Sequence, residues 1–187
     1  MNRMSFTPRT AARCALGIGL LVALLLALGA AAPAVLAAIS CPGFVCQGTS
    51  GDDTLKGTEV VDEIYGFGGD DTIYGGAGND LLRGDEQTDS GQDGDDRIYG
   101  GGGNDLLSSH GGADLLVAGG GNDTTNAQDY AGHPPGKDTI KAGKGEDTIY
   151  AADHVKDVID CGPGQDYALF DRDFDTVTNC EVKDAAA

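Results

Sequence analysis

Aspartate recurs along this chain at a spacing that could place carboxylates in rows. Aligned on the Asp that precedes each short apolar run, Asp53, Asp62, Asp71 and Asp80 follow one another at intervals of nine. Asp96 comes after sixteen, and the interval of nine returns for Asp105, Asp114 and Asp123. Asp138 follows after fifteen, Asp147 after nine, Asp157 after ten, and Asp166 and Asp175 after nine each. Ten of these thirteen have glycine two residues earlier, and eleven have a large aliphatic residue two later, Thr125 and Ala168 being the exceptions. Carboxylates are hard oxygen ligands, and glycine-rich turns beside them can aim backbone carbonyls the same way, so the chemistry on offer is the binding of a hard cation. Transition metals suit the pattern poorly, because no cysteine or histidine cluster falls inside the repeats. Hydrolytic machinery is not expected either. His110, His133 and His154 are scattered, HExxH is missing, and no serine sits in a G-x-S-x-G elbow.

The elements that must position these aspartates are short. A run such as "DLL" or "DTI" can make a three-residue strand whose middle side chain points opposite to its neighbours. One aliphatic residue per unit cannot form a core alone, but stacked units can. Successive strands would go alternately to two parallel sheets with their aliphatic rows facing, so that one full coil is two units, or eighteen residues. A disordered Gly/Asp linker has no reason to hold three positions in phase from residue 48 to 178.

Four units, "GGAGNDLLR" (75–83), "GGGGNDLLS" (100–108), "AGGGNDTTN" (118–126) and "AGKGEDTIY" (142–150), carry the pattern most clearly. They resemble the hemolysin-type calcium-binding repeat, the glycine-rich nonapeptide G-G-x-G-x-D-x-U-x of the RTX family. The resemblance implies an all-β, right-handed parallel β-roll, a β-solenoid of two parallel sheets. Several Ca²⁺ ions would sit between turns one coil apart, held by aspartate carboxylates and turn carbonyls. Carried over residue by residue, it implies one ligand column of Asp80, Asp105, Asp123, Asp147 and Asp166, and another of Asp53, Asp71, Asp96 and Asp114. Three units depart, with Val60, Val155 and Asp173 where glycine belongs, so Asp62, Asp157 and Asp175 are expected in structural coils that need no ion. Pro134 and Pro135, in an insertion at 127–135, leave the pairing of Asp114 with Asp138 open. The other insertion, "GDEQTDSGQDGDD" (84–96), is expected to be a solvated loop. Read as an EF-hand from Asp89, it has Gly100 where the bidentate glutamate belongs.

All 30 acidic residues lie at Asp52 or later, whereas Arg3, Arg9 and Arg13 precede "CALGIGLLVALLLALGAAAPAVLAA", an uncharged apolar stretch ending in small residues. That is the layout of a secretory signal peptide, with cleavage expected after Ala37. An uncleaved membrane anchor is the alternative, since the stretch is long enough to span a bilayer. The remaining chain divides into a cap at 38–47, repeats at 48–178 and a tail at 179–187. Its nine Lys and Arg against 30 Asp and Glu give a net charge of −21, which opposes compaction until cations neutralise it and disfavours nucleic acid or anionic membrane as partners. Cys41, Cys46, Cys161 and Cys180 are an even set in an exported chain, so disulfides are expected. Of the three pairings, Cys41 with Cys46 and Cys161 with Cys180 is favoured, because it staples the two ends of the stack. Tyr74 and Tyr99 end units one coil apart, and their rings should stack.

The function expected is that of a secreted, non-enzymatic calcium-binding protein that folds as it binds. An adhesion or structural module, in which calcium only rigidifies a scaffold displaying the two insertions, is the other reading.

Overall fold

A computed structural model of the chain describes residues 38–41, 44–85, 93–129 and 133–186, with backbone alone for 182–186. The expected signal peptide at 1–37 and the centres of both insertions, 86–92 and 130–132, lie outside the described residues. No helix is present among the described residues. Instead, sixteen strands numbered in chain order alternate between two sheets. The first sheet runs β1 (Ile39–Ser40), β3 (Thr54–Lys56), β5 (Thr72–Ala77), β7 (Arg97–Gly102), β9 (Leu115–Gly120), β11 (Thr139–Lys144), β13 (Val158–Asp160), β15 (Thr176–Thr178). The second runs β2 (Val45–Gln47), β4 (Glu63–Phe67), β6 (Leu81–Asp85), β8 (Leu106–Ser108), β10 (Thr124–Asn126), β12 (Thr148–Ala151), β14 (Tyr167–Asp171), β16 (Val182–Ala186). Every pairing within a sheet is parallel. This is the parallel β-roll that the repeat implies.

The core follows from the one aliphatic residue per unit. Leu55, Ile73, Ile98, Leu116, Ile140 and Ile159 stand in register along one sheet, and Ile64, Leu82, Leu107 and Ile149 along the other, all fully buried. Burying each such side chain contributes about 1.5–3 kcal/mol, and no single unit could realise that gain without its neighbours. The second row contains the two exceptions, Thr125 and Ala168. Phe170, two residues along β14 from Ala168, joins the same core cluster.

Strand pairing extends into both flanking segments. Ile39 pairs with Leu55 and Cys46 with Ile64, while β16 continues the second sheet beyond β14. Both favoured disulfides are present, Cys41–Cys46 and Cys161–Cys180, one at each end of the stack. Tyr74 and Tyr99 stack as their spacing predicts, with ring centroids 5.0 Å apart and planes 9° from parallel, and Lys56 Nζ lies over the Tyr74 ring.

The insertions do not disturb the stack. Asp71 and Asp96, 25 residues apart, meet across the first, and Asp114 and Asp138, 24 apart, meet across the second. The pairing that the two prolines left open is therefore made. Pro134 and Pro135 follow the coil, the Pro134 carbonyl accepting the Gly112 N–H and Pro135 bridging to Gly112.

Candidate metal site

The turns between strands bring the aligned aspartates into two ladders. In the first, the backbone N–H of Asp53 donates to Asp71 Oδ1 at 2.7 Å, and the same bond repeats from Asp71 to Asp96, Asp96 to Asp114, Asp114 to Asp138, Asp138 to Asp157 and Asp157 to Asp175. In the second it links Asp62 to Asp80, Asp80 to Asp105, Asp105 to Asp123, Asp123 to Asp147 and Asp147 to Asp166. The ladder closes at Glu181, whose Oε2 accepts the Asp166 N–H at 3.0 Å. The nine aspartates expected as ligands fall into the two columns expected, and Asp62, Asp138, Asp157 and Asp175 occupy the same ladders.

Each ladder bond uses only one carboxylate oxygen. The other, Oδ2, is buried without a hydrogen-bond partner at Asp71, Asp80, Asp96, Asp105, Asp114, Asp123, Asp147 and Asp166, and also at Asp138 and Asp157. A buried charge in that condition is costly, and burial accordingly pushes these carboxyls up. Asp80 and Asp123 rise to about 6, Asp71, Asp114 and Asp157 to about 7, Asp96 to about 9 and Asp138 to about 10, each against the lowering pull of the backbone N–H it accepts. Asp105, Asp147 and Asp166 are raised by the same cause. Among the described residues no lysine or arginine forms an ion pair with a ladder carboxylate.

Backbone carbonyls of the following coil lie near the same oxygens. A methyl group at Gly75 would lie 2.6 Å from both Asp80 Oδ2 and the carbonyl oxygen of Gly100. One at Gly100 would lie 2.6 Å from Asp105 Oδ2 and 2.5 Å from the Ala118 oxygen. Further round the turn Gly103 has φ +123°, and a side chain there would strike the Gly78 oxygen at 1.7 Å, so backbone oxygens of successive coils are packed as only glycine permits. Partnerless carboxylate oxygens beside turn carbonyls, with no nitrogen or sulfur donor among them, are the donor set that Ca²⁺ prefers. The residues present fit that ion.

The ends of the stack differ. Asp53 Oδ2 accepts from both the N–H and Oγ1 of Thr49, and Asp62 Oδ2 does the same with Thr58. At the far end Asp175 Oδ2 accepts the Asp171 N–H. At these three positions donors from the chain satisfy the oxygen that the interior units leave without a partner. Asp157, in a departing unit, instead resembles the interior ones.

Three features escaped the period of nine. In eight units the residue before the aligned Asp joins a second rail of opposite direction, in which the later coil donates: Asn104 N–H to Asn79 Oδ1, Asn122 to Asn104 and Glu146 to Asn122 on one side. On the other side Asp70 donates to Asp52, Asp95 to Asp70 and Ala113 to Asp95. Asp85, beside the first insertion, is buried with Oδ1 partnerless, and burial raises it to about 8. Asp129, Asp138 and Asp153 form a compact carboxylate group at the second insertion.

The sequence matches the family described as RTX calcium-binding nonapeptide repeat (4 copies) over residues 47–89, 90–125 and 135–154, more than half of the chain. No curated protein and no solved structure matches it. With its repeats wound into a parallel roll and its aspartates laddered through the turns, the chain belongs to the RTX calcium-binding nonapeptide repeat family and binds calcium ions.

Proposed function

We propose that this is a secreted protein whose roll forms as its turns load with calcium, the ladder aspartates being the switch. The observation that carries the reading is the row of buried Oδ2 atoms without partners. Asp80, Asp105, Asp123, Asp147 and Asp166 on one side, and Asp71, Asp96 and Asp114 on the other, would hold the ions together with turn carbonyls. Asp53 would first have to release Thr49. Bound Ca²⁺ supplies the positive charge that lets these carboxylates stay ionised while buried. The chain's own part is positional: the Oδ1 bonds fix each carboxylate, and the glycines bring the carbonyls close. The reading gives the protein no catalytic step.

Export is supported by the N-terminal layout of residues 1–37 and by the two disulfides, which suit an oxidising compartment. On this reading residues 1–37 are removed, 38–47 cap the roll, 48–178 bind the ions and 179–187 close the end. Affinities on the order of 0.1–1 mM per site match the calcium met outside cells. Calcium titration of the chain lacking residues 1–37, followed by far-UV circular dichroism, should show a cooperative gain of β signal from an expanded state in chelator. A spectrum already β-rich in chelator and unmoved by calcium would refute ion-linked folding.

A further inference from the structure

We propose a calcium site that the repeat pattern does not contain, in which the ladder residue Asp138 is joined by two out-of-phase carboxylates, Asp129 and Asp153, where the second insertion rejoins the roll. One carboxylate oxygen from each of the three lies within 4.8 Å of the other two. Asp138 is fully buried; its Oδ1 accepts the Asp114 N–H, and its Oδ2 has no partner. Asp129 Oδ1 is likewise buried and partnerless. Two independent features therefore coincide: three carboxylates converge, and two of their oxygens have no donor in the protein.

The group is also held in place. The Gly136 N–H donates to Asp129 Oδ2 at 2.8 Å, and the Asp129 N–H donates to Asp153 Oδ2 at 3.0 Å. Val155 N–H fixes Asp153 Oδ1 at 2.9 Å, and Asp153's own N–H is anchored on Asp171 Oδ2. The insertion itself is tied to the first insertion by His133 Nδ1 and Asp93 Oδ2, 2.9 Å apart.

This is not a repeat site displaced by a residue or two. Gln128 and Ala152 stand where the regular units carry the turn glycine, as at Gly76 and Gly101, and Asp129 and Asp153 are the residues that follow them. These two aspartates align with Gly102 and Gly120 of regular units, where an added side chain would meet nothing within 4 Å, so the turn has room for a carboxylate at that step. An oxygen-only group of three carboxylates suits a hard cation that accepts irregular geometry, which favours Ca²⁺ over Mg²⁺.

The test is a count of bound ions. Equilibrium dialysis against Ca²⁺ should give one ion fewer per chain for the Asp129→Asn, Asp153→Asn double variant than for the wild type, with the β spectrum at saturating calcium unchanged. An unchanged count overturns the site. If the double variant does not reach the β spectrum, Asp129→Asn alone serves, because its amide oxygen can still accept the Gly136 N–H, and the same loss of one ion is expected. Crystals of the wild type grown in calcium give a reading free of variants: an ion between the three carboxylates supports the site, and water there overturns it. Failure of the repeat-turn reading would look different, as a wild type holding a single ion that the double variant loses.

Discussion

A ladder aspartate divides its carboxylate between two tasks, Oδ1 to the neighbouring coil's N–H and Oδ2 to the interior of the turn. Two substitutions at Asp105 separate them. Asp105→Asn keeps an oxygen for the Asp80 N–H but removes the charge, so calcium binding in its column should weaken by about tenfold or more, as expected when a site loses one charged ligand. Asp105→Ala also leaves the Asp80 N–H buried without an acceptor, at a further cost of about 1–3 kcal/mol. Calorimetric titration reads the first effect, and denaturant unfolding in saturating calcium reads the second. Equal stability of the two variants would show that the Oδ1 bond contributes nothing.

Among the strands, β10 is where a polar side chain interrupts the aliphatic row. Thr125 is 1 % exposed and its hydroxyl has no hydrogen-bond partner, a cost of about 1–3 kcal/mol in a site that valine would fill without one. Thr125→Val should therefore raise stability by about 1 kcal/mol, visible as a higher melting temperature in calcium. A lower one would mean that the hydroxyl has a use the packing does not reveal. The same strands show how much could be read from residues alone. Leu55, Ile73 and their successors sit one coil apart in sequence, so the period implies both sheets, and the family resemblance carried over unit by unit implies both aspartate columns. The second rail was hidden because its positions hold Asp, Asn, Glu and Ala in turn: the acceptor is always an Asp or Asn Oδ1 of the earlier coil, but any residue can supply the N–H that ends the row. Asp129 and Asp153 were hidden because an insertion and a ten-residue interval put them out of phase. Glu181 ends a ladder of aspartates with a longer side chain, which a search for Asp passes over.

For the whole molecule the carboxyls act together. Their pKa values in the metal-free roll are raised by burial, so folding without metal takes up protons. Stability in chelator should be fullest below the ordinary carboxyl value of 3.8 and should be lost as pH rises through the raised values of about 6 to about 10. Circular dichroism in chelator across that range would show it, and β signal increasing with pH would contradict it. In calcium the dependence should reverse, because the ions need the ionised form. The ladder also has a direction: in each bond the earlier coil gives the N–H and the later coil gives the carboxylate. On the proposed export the N-terminal coil is the first to emerge into calcium, so every coil waits for its successor before its own amide is satisfied. The roll is thus completed from behind, like a row of hooks each fastened by the next to arrive, and Glu181 is the clasp that lets the last one close.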